Sequence, residues 1–102
     1  MSDPLVSICI PVYNRRELIV KAVESCIRQS YQNIEVIIVD NCSTDGTYER
    51  LLADYGSFAN IHVYQNVENL GPVRNWLKCL ELSNGDFIKI LFSEFLQIAC
   101  FS

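Results

Sequence analysis

The chain has 102 residues, half of them hydrophobic, with 8 Lys+Arg against 12 Asp+Glu and a formal net charge of −4. This length fits one domain, the apolar fraction excludes a disordered chain, and 4 Gly and 3 Pro are too few for a low-complexity one. The acidic balance, with no basic patch to neutralise phosphates, argues against a nucleic-acid partner. It leaves room for a small anionic ligand held by an arginine and backbone N–H groups. The five cysteines, Cys9, Cys26, Cys42, Cys79 and Cys100, are scattered and contain no C-x-x-C. They make neither a disulfide framework nor a zinc site, and they point to a reducing, cytoplasmic compartment, in the cytosol or at the inner membrane face. The N-terminus has no basic segment ahead of an apolar one, so no signal peptide is read. The apolar stretches break well short of the ~20 residues that a membrane-spanning helix needs.

Taken in chain order, Leu5 to Val12 reads LVSICIPV, a β-branched and mostly apolar run suited to a buried parallel strand. Asn14 then reads as a helix N-cap, with Glu17 completing a capping-box pair. Leu18, Ile19, Ala22, Val23, Cys26 and Ile27 follow at helical spacing, which predicts a helix to about Gln29. Ile34 to Asp40, IEVIIVD, is the strongest strand, and Asn41 to Thr47, NCSTDGT, is a turn cluster. A second helix is predicted over Tyr48 to Tyr55, ending at Gly56. Ile61 to Gln65 reads as a third strand. Gly71-Pro72 opens a third helix with Val73, Trp76, Leu77 and Leu80 as its buried stripe, ending at Ser83-Asn84-Gly85. Asp86 to Phe92, DFIKILF, is a fourth strand.

The order β-α-β-α-β-α-β implies an α/β fold with a Rossmann-like, mainly parallel sheet covered on both faces. Ligands in such sheets sit at the carboxyl ends of the strands. That rule selects the loops Pro11–Arg16, Asp40–Thr47 and the segment from Phe92 onward. Pro11, Val12, Tyr13 and Asn14 join a strand end to a helix start, where free N–H groups can meet an anion. The alternative is a capped turn with solvated arginines. Asp40, at the tip of a buried strand, needs either a cleft or donors; it can accept from a base or ribose, or close the turn onto the Asn41–Ser43 N–H groups. Arg74 stands in the first turn of a helix, where the dipole disfavours a cation, and its guanidinium suits a diphosphate. Its alternative is an exposed side chain lying over Tyr64 or Trp76. Glu94 is a lone acidic residue beyond the fourth strand, and one carboxylate makes no Mg²⁺ or Mn²⁺ site. Asp45-Gly46 reads as turn chemistry, His62 has no evident partner, and Trp76 reads as core.

Three segments in this order, Val6 to Thr47, Asn69 to Leu91 and Phe92-Ser93, make the chain similar to the N-terminal half of a family 2 glycosyltransferase of the GT-A fold. The resemblance implies that Pro11 to Asn14 wrap the nucleotide, with Tyr13 near the base. It also implies that Asp40 contacts the uracil or ribose and that Arg74 lies near the diphosphate. It implies inverting transfer from a nucleotide-diphosphate sugar, often a UDP-sugar, to an acceptor hydroxyl, with Mg²⁺ or Mn²⁺ neutralising the leaving diphosphate. Two departures stand out. Ser93-Glu94-Phe95 replaces the acidic pair expected after the fourth strand, leaving Glu94 as the single metal ligand. The family's acceptor-binding half and its carboxylate are absent from the 102 residues, which read as a single truncated domain, so no general base is assigned and these residues alone are expected to be inactive. A second reading is a non-catalytic module that self-associates as a homo-oligomer through the apolar Phe92–Phe101 segment. A flavodoxin-like or receiver-like domain ranks below both, because no acidic cluster follows the first strand.

Overall fold

In the computed structural model, residues 3–91 and the backbone of residues 92 and 97–101 are described. The elements run β1 (Val6–Val12), α1 (Leu18–Ile27), β2 (Ile34–Asp40), α2 (Thr47–Tyr55), β3 (Ile61–Gln65), α3 (Pro72–Leu82), β4 (Phe87–Phe92) and β5 (Gln97–Phe101). They form one sheet in the order β3-β2-β1-β4-β5. Strands β1 to β4 are parallel and β5 lies antiparallel to β4. The α/β parallel architecture is the one expected; β5 adds a fifth strand to the four read from the sequence.

The central strands are apolar throughout because helices cover both faces. On one face Ile8, Ile10 and Val12 pack with Val36 and Ile38 against Ile19, Ala22, Val23 and Cys26 of α1 and Leu51 and Tyr55 of α2. On the other, Cys9, Ile37, Val39 and Ile90 meet Cys79, Trp76 and Leu80 of α3. Each large apolar side chain so enclosed contributes about 1.5–3 kcal/mol. Pro11 is tolerated because the β1–β4 register ends at Cys9↔Ile90, so beyond it β1 has β2 alone as a neighbour.

Three expectations are corrected. Asn14 does not cap α1: it adopts φ 49°, and α1 begins after Glu17 with no side-chain cap. The amide of Asn14 is engaged with the β2–α2 turn instead, which leaves no partner for a capping box. Helix α1 ends at Ile27 rather than Gln29, and Ile27 itself is exposed. Of the stripe expected on α3, Trp76 and Leu80 do pack against the sheet, but the fully buried residues are Asn75 and Cys79, whereas Val73 and Leu77 are 62% and 51% exposed. The cause is polar: Asn75 is drawn toward the sheet by hydrogen bonds to Val39 and Asn66, and this sets the rotation of the helix. The predicted third loop, including Glu94, lies outside the described residues, as does the side-chain packing of the Phe92–Phe101 segment.

Candidate functional site

At the carboxyl ends of β1 and β2, two loops are tied together through one hydroxyl. Asp40 is fully buried, and its carboxylate accepts the Ser43 N–H (2.9 Å), the Ser43 hydroxyl and the Gln65 amide (3.3 Å). Ser43 Oγ in turn accepts the N–H of Asn14 at 2.8 Å, and Asn14 Oδ1 accepts the N–H of Thr44 at 2.8 Å. Asp40 therefore closes the turn, and through Ser43 it positions the β1 loop. A carboxylate buried this deeply is stable only because donors surround it. Asp45 has the turn role expected: it accepts the N–H of Thr47 (3.0 Å) and the Thr47 hydroxyl, and the N–H of Arg16 at 3.3 Å. Burial raises its pKa, but these donors outweigh it and hold the carboxyl below the usual range.

Beside this pair of loops stands a network of four asparagines that sequence reasoning did not single out. Asn41 is buried; its Nδ2 donates to Asn69 Oδ1 (2.9 Å) and Gly71 O (3.4 Å). Its Oδ1 accepts the Leu70 N–H (2.8 Å) and Asn66 Nδ2 (2.9 Å). Asn66 Nδ2 also donates to Asn75 Oδ1 (2.8 Å), and Asn75 Nδ2 donates to Val39 O (3.1 Å). Asn69 Oδ1 accepts the Gly71 N–H at 2.8 Å, an Asx turn that holds Gly71 at φ 84°. The orientations are fixed by backbone: the Leu70 and Gly71 N–H groups can only donate, and the Val39 and Gly71 carbonyls can only accept. The ends of β2 and β3 and the start of α3 are thereby joined. The sequence signal was four Asn at strand ends and around Gly71-Pro72, each readable singly as turn chemistry.

Between the joined loops and the start of α3 lies an open cleft of about 230 Å³, lined by Pro11, Tyr13, Arg15, Asn41, Asn69, Pro72 and Asn75. Tyr13 is 38% exposed and presents a ring to it. The guanidinium of Arg15 is braced by the Asn14 and Tyr13 carbonyls at 2.9 and 3.5 Å. Of the residues expected here, the structure brings Pro11 and Tyr13 to the cleft. Val12 faces the core at 2% exposure, and Asn14 and Asp40 hold the wall from behind. Arg74 is exposed on the first turn of α3 and is not among the lining residues; the lining cation is Arg15. Among the described residues no group of three His, Cys, Asp or Glu side chains converges, so these residues do not fit a divalent cation.

The opposite end of the sheet carries a second polar cluster with a structural role. Glu35 accepts the Ser7 hydroxyl (2.5 Å) and the Asn84 N–H (2.6 Å), while Ser7 Oγ accepts the Gly85 N–H at 2.7 Å. Burial raises the pKa of Glu35, but the donors from Ser7 and Asn84 and the nearby His62 bring it below the usual carboxylate value. This cluster pins the α3–β4 turn to β1 and β2, and hence fixes the far end of α3 against the sheet.

Residues 7–91 match the profile of the family described as Glycosyl transferase family 2. Abequosyltransferase RfbV of Salmonella typhimurium is 41% identical over 93 residues, which are 88% of this chain and 28% of that protein. Among solved structures, S. aureus TarS 1-349 in complex with UDP-GlcNAc superposes with a TM-score of 0.78 at 29% identity, covering 87% of this chain and 27% of that one. The mannosyltransferase PcManGT from Pyrobaculum calidifontis, in complex with GDP-Man and Mn²⁺, gives a TM-score of 0.82 at 24% identity over 91% of this chain and 28% of that one, a likeness of fold. The chain spans about a third of the length of the curated relatives it matches.

Proposed function

Because the chain belongs to glycosyl transferase family 2, with the GT-A fold, we propose that it forms the nucleotide-binding part of a sugar transferase. The donor is a nucleotide-diphosphate sugar, with UDP as the nucleotide, and the transfer goes to an acceptor hydroxyl with inversion. One observation carries this reading: the cleft lies at the carboxyl ends of β1 and β2, where its shape and lining suit a nucleotide. An aromatic ring, two prolines and an arginine line it. Tyr13 offers a face for the base, Pro11 and Pro72 flank it, and Arg15 meets the negative charge. Arg74, exposed in the first turn of α3, is proposed to approach the diphosphate from outside the cleft. Asp40 acts by holding the β1 loop rather than by touching the base.

The described residues supply no group of carboxylates for Mg²⁺ or Mn²⁺, and Glu94 has no acidic neighbour in sequence. Nucleotide binding by these 102 residues is therefore proposed to depend weakly on divalent cations. No general base for the acceptor hydroxyl is assigned among the described residues, and these residues are proposed to bind the donor without transferring its sugar. Calorimetric titration with UDP, with and without Mn²⁺, tests this reading. Saturable binding with little change on adding Mn²⁺ is expected. A folded chain that gives no saturable heat with UDP would overturn it, and sugar transfer by the purified chain would overturn the claim that it is inactive alone.

A further inference from the structure

We propose that Asn69 reads the ligand, and that the buried Asn41–Asn66–Asn75 network turns the amide of Asn69 so that it offers hydrogen-bond donors to the cleft. The proposal rests on the nucleotide reading above. Both lone pairs of Asn69 Oδ1 are used, one by Asn41 Nδ2 at 2.9 Å and one by the Gly71 N–H at 2.8 Å. The second of these is a backbone donor, so a flipped amide would set N–H against N–H. With its oxygen held against the wall, the exposed amide has its Nδ2 left over, and no described residue takes a hydrogen bond from it.

The other polar groups around it sharpen the contrast. Asn41 Oδ1 has two donors already, Asn75 Oδ1 accepts from Asn66, and Gly71 O accepts from Asn41. The side-chain amide oxygens that line the cleft, those of Asn41, Asn69 and Asn75, each take a donor from within the network. What it offers outward to the cleft is the Asn69 NH₂, which donates. A surface of donors selects a ligand edge of acceptors, which in a nucleoside diphosphate means either a base carbonyl or a phosphate oxygen. Asn66 does not line the cleft, and Asn75, which does, has its amide engaged with Val39 and Asn66; both are positioning residues, Asn75 fixing Asn66, Asn66 fixing Asn41, and Asn41 fixing Asn69.

The variant Asn69→Asp tests this cleanly. One carboxylate oxygen still accepts from Asn41 and Gly71, so the wall keeps its hydrogen bonds, while the outward group changes from donor to anion. The expected result is a melting temperature close to that of the unchanged chain and a UDP affinity lower by at least about tenfold. Loss of affinity for uridine as well assigns the contact to a base carbonyl; loss for UDP alone assigns it to a phosphate oxygen. UDP binding unchanged in Asn69→Asp would overturn the proposal while leaving the nucleotide reading intact. Failure of the unchanged chain to bind UDP would overturn that reading instead. A ligand-free measurement stands apart from both: by NMR, the side-chain NH₂ of Asn69 should exchange with solvent faster than those of Asn41, Asn66 and Asn75. Equal protection of all four would contradict the assigned orientation.

Discussion

Replacing Asn41 by alanine is the sharpest test of how this cleft is built. The substitution removes a side chain that is 3% exposed and saturated by four contacts. Asn69 Oδ1 keeps the Gly71 N–H, and Asn66 keeps one bond to Asn75. The Leu70 N–H and one N–H of Asn66, itself 8% exposed, lose their acceptor. At about 1–3 kcal/mol for each buried donor left unmade, the loss sums to about 2–6 kcal/mol. Against a total stability of ~5–15 kcal/mol for a domain of this kind, that is a large fraction. It should lower the melting temperature by roughly 10 °C or more. Urea unfolding followed by circular dichroism reads it directly. Asn41→Asp refines the test: the carboxylate still accepts from Leu70 and Asn66 but faces Asn69 Oδ1 and the Gly71 carbonyl without a proton. It should therefore destabilise most at neutral pH and recover as acid protonates it. An Asn41→Ala chain within about 0.5 kcal/mol of the original would refute the claim that the network holds the cleft wall.

Further outcomes follow from other parts of the molecule. Glu35 has a lowered folded-state pKa, so its contribution to stability is full above the unfolded value of about 4.3 and is lost as pH falls through the folded value. Glu35→Gln should flatten that acid limb in urea midpoints measured between pH 3 and 6. Gly85→Ala should destabilise by about 1–3 kcal/mol, because a Cβ there would meet Ser7 Oγ at 2.5 Å, Ser7 N at 2.7 Å and Leu5 O at 2.9 Å, two of them backbone atoms. Thiol labelling mapped by mass spectrometry should modify Cys42, which is half-buried, well before Cys9, Cys26 and Cys79, which are enclosed. Burial pushes the Cys26 thiol up to about 11, which slows its reaction further.

Much of this architecture was legible in the sequence because it rests on strong local signals. The runs VSICIPV and IEVIIVD are apolar on both faces and could be little else than central parallel strands. Gly71-Pro72 marked the start of α3 because proline at the first position costs no hydrogen bond. The errors share one cause, polar contacts between segments far apart in sequence. Asn14 carries the signature of a cap, yet its amide is bound by Ser43 and Thr44, about thirty residues away. Asn75 stands between Arg74 and Trp76 with no local signal of burial; its pull toward Val39 rotates α3 and leaves Val73 and Leu77 in solvent. That Asp40 closes the turn could not be read from spacing. It depends on the Ser43 hydroxyl and the Gln65 amide, which the fold brings to the same carboxylate. Arg15 reads in the sequence only as one of two solvated arginines, because its neighbour Arg16 is so similar that only the backbone path tells which of them faces the cleft.

Mapping UDP by amide chemical-shift changes tests the central claim most directly, since it asks where the nucleotide sits. The account predicts saturable shifts concentrated on Tyr13, Arg15, Asn41 and Asn69–Gly71, around the cleft at the carboxyl ends of the strands. Shifts that instead cluster at the other end of the sheet, in the hollow lined by Pro4, Tyr31, Phe87 and Lys89, would contradict it.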